Sequence, residues 1–221
     1  NEVDAIYKDF LAKAPKTHRL YEKAESGSES LLKDRVQTLI RAAEETKDEK
    51  RAQTLRNQAR QELEEIARSQ KAIADNWYPK YKAAYKPYRE LMEKDDKWFE
   101  KPIPASILKP LQEAFDNWVI ADKRYLAVKT DQLDCYGHKD PGKKVLGELL
   151  LKLCQERLDD EGVLTFPLIE MYYHFMRGRI HAELGDEEKA GEAWQTALAV
   201  AIENPTEEQK RYIQAFKFSI F

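Results

Sequence analysis

Apolar residues recur every three or four positions along most of this chain, the spacing that gathers them on one side of an α-helix. Val3, Ile6, Tyr7, Phe10 and Leu11 predict a short opening helix that ends near Pro15. Ser26-Gly27-Ser28 reads as a turn, and Leu32, Val36, Leu39 and Ala43 form a second stripe behind a Ser30 cap. The stripe vanishes between Glu44 and Thr54 and resumes at Leu55, Ala59, Leu63, Ile66, Ile73 and Trp77. Two structures fit that gap: one long helix with an exposed middle, or a helical hairpin turning near Lys47 to Glu49. The gap holds neither Gly nor Pro, which favours the single helix.

Beyond Trp77 the chain is dense in aromatics, with Tyr78, Tyr81, Tyr85 and Tyr88 at steps of three and four. Pro79 and Pro87 interrupt this stretch, and each removes a backbone donor, so kinks or breaks are expected there. Pro102-Ile103-Pro104 is a connector. Ile107, Leu111, Phe115, Trp118, Tyr125 and Leu126 then mark another helix, with Pro110 near its first turn. The segment from Asp134 to Gly142 carries the strongest loop chemistry and is taken as a boundary. Four closely spaced helical patterns follow, at 143–158, 166–184, 186–203 and 206–221. Connections this short make successive helices antiparallel neighbours. The pattern predicts an all-α protein: a bundle of long antiparallel helices at 1–134, partly coiled-coil-like, and a smaller helical unit at 143–221, or the two as one continuous domain.

Composition supports helices and removes several functions. Charged residues make up 35% of the chain and hydrophobic ones 42%, with few Gly and Pro. The net charge of −3 comes from 37 basic and 40 acidic side chains interspersed along the chain, so no nucleic-acid face is expected. Apolar runs such as Val145 to Cys154 are too short and too charged for a transmembrane segment. The chain opens at Asn1, compatible with a secreted or periplasmic product and equally with a cytoplasmic one. Cys135 and Cys154 are read either as one bridge in an oxidising compartment or as buried thiols.

The region from His174 to Val200 has a more specific pattern. Gly178 lies mid-helix, Leu184-Gly185-Asp186 makes a turn, and Ala190, Trp194 and Ala197 follow at steps of four and three. Small residues at Gly178, Ala190 and Ala197 allow two helices to approach closely, while Trp194 fills the space between them. Gly185 suits a left-handed helix C-cap and Asp186 an N-cap. In these residues the segment 168–203 resembles a single tetratricopeptide-repeat helix hairpin. It departs from that family at His174, Arg177 and His181 and in its displaced Pro205. One hairpin cannot bury both its faces, and such arrays normally hold about three repeats. The resemblance implies a non-catalytic scaffold that binds a protein or peptide partner in a helical groove, with Tyr173, Arg177, His181 and Gln195 facing the partner. Self-assembly through the long N-terminal helices is a further possibility.

Candidate chemistry is sparse. Glu170, His174 and His181 share one helix face at spacings of four and seven, which suggests the alternative of a metal- or small-ligand-binding bundle. Half-buried packing histidines explain the same spacing, and no cofactor is expected. Cys135-x-x-His138 with Cys154 lacks the fourth ligand of a structural zinc site. The tyrosine stripe, interleaved with Lys80, Lys82 and Lys86, could stack bases or sugars, but such a stripe is more simply core. No Gly-rich phosphate loop, nucleophile elbow or paired-histidine protease motif is present, so no enzyme is expected.

Overall fold

The computed structural model describes residues 2–13, 21–94, 102–137, 140–164 and 166–200, together with positions 210 and 214. Among these the chain is all-α, with no strand. The helical pattern expected at 206–221 lies outside the described residues but for those two positions. By compactness the chain divides into two units, 1–65 and 66–221. The expected boundary loop at Asp134 to Gly142 falls inside the second.

In the first unit, helix α1 (Glu2–Lys13) packs on α2 (Tyr21–Glu45). The turn expected at Ser26-Gly27-Ser28 is absent, because α2 runs straight through it. A Cβ on Gly27 would lie 2.9 Å from the Tyr7 hydroxyl, so this glycine serves a close approach rather than a turn. The third helix, α3 (Glu49–Lys94), begins after a break of three residues. The continuous helix favoured across Glu44 to Thr54 is therefore wrong, and the hairpin alternative holds. Side chains make the turn and start α3: Thr46 accepts from the Asp48 N–H, and Asp48 caps α3 by accepting from the N–H groups of Lys50 and Arg51 at 3.0 and 3.2 Å. Val36, Ile40 and Ala43 on α2 and Ala52, Ala59 and Leu63 on α3 are buried, and Arg35 pairs with Glu62 at 2.8 Å.

The remainder of α3 belongs to the second unit. No break occurs at Pro79 or Pro87; both lie inside the helix on its exposed side. Eight residues apart, they share one face, and the carbonyls that lose an N–H partner there open to water. Helix α4 (Ala105–Asp131) holds Pro110 within it and continues into a 3₁₀ turn, Gln132–Cys135. Then come α5 (Pro141–Leu158), the short α6 (Glu161–Leu164), α7 (Pro167–Glu183) and α8 (Glu187–Ala199). Asp140 caps α5 by accepting from the Gly142 N–H at 2.9 Å.

Helix α7 is the centre of this unit, packing against α8, α5, α6 and α4. Its C-terminus closes as a Schellman turn: Gly185 takes φ +80°, and the Asp186 N–H reaches the His181 carbonyl at 2.9 Å. Asp186 then caps α8 by accepting from Lys189 N–H at 3.3 Å. The Trp194 indole lies over Gly178 and donates to the Phe175 carbonyl at 3.2 Å. Leu184 fills the equivalent space over Gly147, where a Cβ would come within 2.7 Å. The local pattern thus forms a packed helix pair, and Cys135 and Cys154 are buried thiols that form no bridge with each other.

Candidate functional site

The tyrosine stripe is core. Tyr81, Tyr85 and Tyr88 are buried, Tyr81 stacks on Trp118 at 4.8 Å between ring centroids, and Phe115 stacks on Phe166 at 4.0 Å. Its lysines do not frame a base-stacking surface. Lys80 covers the Trp77 ring at 4.1 Å, and Lys82 turns to the carboxylate of Asp160.

Behind this aromatic layer runs a polar network. Asp122 on α4, 1% exposed, takes both arms of the Arg157 guanidinium at 2.8 and 3.2 Å and the Tyr173 hydroxyl at 2.5 Å. Burial works against the charge on Arg157, yet the hydrogen bond and attraction of Asp122 prevail and hold its pKa above the ordinary value. The guanidinium also sits 4.7 Å from the Tyr78 ring. Tyr78 in turn donates to Asp160, which accepts from Lys82 at 2.8 Å and from the Gly162 N–H at 3.0 Å. Burial tends to raise the Asp160 carboxyl, but the bonds from Lys82 and Tyr78 outweigh it and leave its pKa low. Burial and the Asp160 contact push Tyr78 up to about 12. Each carboxylate is surrounded by donors, so neither is positioned to abstract a proton from a ligand.

Two clefts border the network. One, of about 530 Å³, has Lys82, Lys86 and Arg89 on one wall and Glu156, Asp159 and Glu161 on the other. Charges of both signs line it, and two cations pair within it, Lys82 with Asp160 at 2.8 Å and Arg89 with Glu161 at 2.7 Å. The other, of about 350 Å³, is lined by Ala74, Tyr125, Leu146, Leu149, Leu150 and Leu153, and Asp122 and Arg157 also reach it. Beside it α5 leaves Val145 58% exposed and Leu149 60% exposed.

No family model, no curated protein and no solved structure matches this chain. The tetratricopeptide likeness accordingly rests on the hairpin residues alone. Of the four side chains expected to face a partner, Tyr173 is buried completely, because its hydroxyl is needed by Asp122. Arg177 is half-buried, and His181 is mostly covered with Nδ1 4.0 Å from Asp186. Only Gln195 is exposed, so the four do not make one open surface. Burial, ahead of the nearby Arg177, lowers the pKa of His174; burial also lowers His181 despite Asp186. Among the described residues no three His, Cys, Asp or Glu side chains converge as metal ligands, so Glu170, His174 and His181 do not form a ligand set. His138 lies outside the described residues.

Sequence reading passed over Asp122, Arg157 and Asp160. Asp122 lies four residues after Trp118 and four before Leu126, on the buried stripe of α4. A lone acid there requires a buried donor, and that signal was available.

A second titrating group lies at the opposite end of α7. Asp134, in the 3₁₀ turn, has its pKa raised to about 7, first by burial and then by the Glu183 carboxyl, with Asp131 adding and Arg179 opposing. Lys143 holds Glu183 at 3.1 Å and Arg179 holds Asp131 at 2.7 Å. Between about 3.8 and about 7 the folded chain keeps a proton that the unfolded chain has released, so this group's stabilising contribution is complete at low pH and lost as pH rises through 7. Discounted for its partial exposure, the cost at pH 8 is about 1–2 kcal/mol. Asp134→Asn is expected to raise stability by about that amount at pH 8 and to leave it unchanged near pH 4, as read by urea unfolding at both values.

Proposed function

We propose that this is a non-catalytic helical interaction protein that binds a protein or peptide chain on the outer face of α5. The observation that carries the reading is the exposed Val145–Leu149 pair, one helical turn apart, beside a leucine-lined cleft. Exposed apolar surface continuous with a cleft, and rimmed by charge, is the form taken by sites that receive a partner helix or strand. The saturation of Asp122 and Asp160 by their own donors supports the same reading, since these buried carboxylates serve the fold. The groove that the hairpin likeness implies would use α7 and α8. The burial of Tyr173 moves the proposed surface to α5.

Affinity capture from the native source with the wild-type chain and with Val145→Ser/Leu149→Ser tests this. A protein retained by the wild type and lost by the variant is expected, while identical captured sets from two equally folded baits would refute the assignment.

A further inference from the structure

Helix α5 carries a second pattern next to its apolar pair. Lys144, Glu148, Lys152 and Glu156 stand at successive steps of four and form one ridge on its exposed side. Within the chain Lys144 pairs with Glu148 and Lys152 with Glu156, each at 3.8 Å between highly exposed side chains. The adjacent ridge is Val145, Leu149 and Leu153. The charged ridge is antisymmetric about its own centre: read backwards, every Lys becomes a Glu.

A two-fold axis that relates two antiparallel copies of one helix sets each flanking ridge against its own reverse. In that arrangement Lys144 meets Glu156 of the second copy, and Glu148 meets Lys152 of the second copy. By symmetry this makes four opposite-charge contacts. The apolar ridge is centred one residue earlier, at Leu149, so the same axis brings Val145 near Leu153 of the second copy and Leu149 near its own counterpart, offset by about 3 Å along the helix, and the exposed apolar pair is covered in the same step. A parallel two-fold pair would instead set this ridge against the opposite flank of the second helix, where it would not meet its own complementary charges.

We infer that the occupant of the α5 face is the α5 face of a second copy of this chain, packed antiparallel about a two-fold axis. This rests on the reading of α5 as an interaction surface and names the partner. It places self-association on α5, not on the long N-terminal helices.

The test uses the purified full chain in sedimentation equilibrium from low micromolar to several hundred micromolar. The wild type is expected to pass from 25.8 kDa to twice that mass. Glu148→Lys alone and Lys152→Glu alone should each weaken association by roughly tenfold or more, because symmetry puts two like-charge contacts into each dimer. An equimolar mixture of the two variants should associate as the wild type does, since Lys at 148 then meets Glu at 152 and Lys at 152 meets Glu at 148. Both positions are solvent-exposed, and circular dichroism with thermal melting confirms that the variants fold. A wild type that stays at 25.8 kDa throughout overturns the inference while leaving the interaction reading to the capture experiment. A dimer indifferent to both reversals, or a mixture that fails to restore association, overturns it as well.

Discussion

Arg157→Ala is expected to destabilise the protein by about 3–5 kcal/mol, because it leaves the Asp122 carboxylate buried without its cation. Asp122 is 1% exposed and takes two of its three short contacts from Arg157, so solvent cannot replace the lost donors. The remaining partner, the Tyr173 hydroxyl, is neutral and equally buried. The guanidinium also packs near the Tyr78 and Trp118 rings, at 4.7 and 5.6 Å, so truncation removes aromatic contacts too. Urea unfolding followed by circular dichroism measures the loss. The double change Asp122→Leu/Arg157→Met removes both charges at similar volume and is expected to cost much less than the single change, since no uncompensated charge remains. A single-variant loss below about 1 kcal/mol would show that the pair is hydrated rather than buried.

Gly178→Val is the second large effect, about 3 kcal/mol, and it probes the α7–α8 contact. A Cβ at Gly178 would fall well inside contact distance of three indole atoms of Trp194. The indole must swing out, which costs the overpacking strain and its 3.2 Å bond to the Phe175 carbonyl. Gly191, one turn from the N-terminus of α8, supplies the contrast, because a Cβ there meets nothing within 4 Å. Gly191→Ala should therefore stabilise by up to about 1 kcal/mol through helix propensity alone. Thermal melting of both variants reads the two signs together. A stabilised Gly178→Val would show that the helices do not approach as described.

Much of the second unit could be read from local chemistry. The starts of α5, α7 and α8 and the end of α7 follow from Asp140, Pro167, Gly185 and Asp186, each acting on backbone groups within a few residues of itself. The errors fall where a distant residue changes what a local signal means. Gly27 looked like a turn because the ring of Tyr7, which occupies the space above it, belongs to another helix. Pro79 and Pro87 looked like breaks because their position on the exposed side depends on where α4 lies. The α2–α3 turn differs in kind: Thr46 and Asp48 make it without Gly or Pro, through capping bonds that act within three residues.

Candidate sites were less legible than helices. His174, Arg177 and His181 stood out as departures from a family pattern, yet such a departure records only that a position differs. Helical spacing leaves Tyr173 open to either role, and the carboxylate of Asp122 on α4 holds it in the core.

Sequence by itself determined that this chain is helical, where most helices of the second unit begin and end, and that α5 bears a ridge of alternating charge. Those properties depend on residues within one or two turns of each other, where periodicity, caps and i to i+4 spacing act directly. Tertiary structure alone decided that Asp122, Arg157 and Tyr173 form one buried network, that Tyr173 is unavailable to a partner, and that Val145 and Leu149 remain uncovered. Burial is a property of what packs against a side chain, and no spacing within a helix specifies its neighbour.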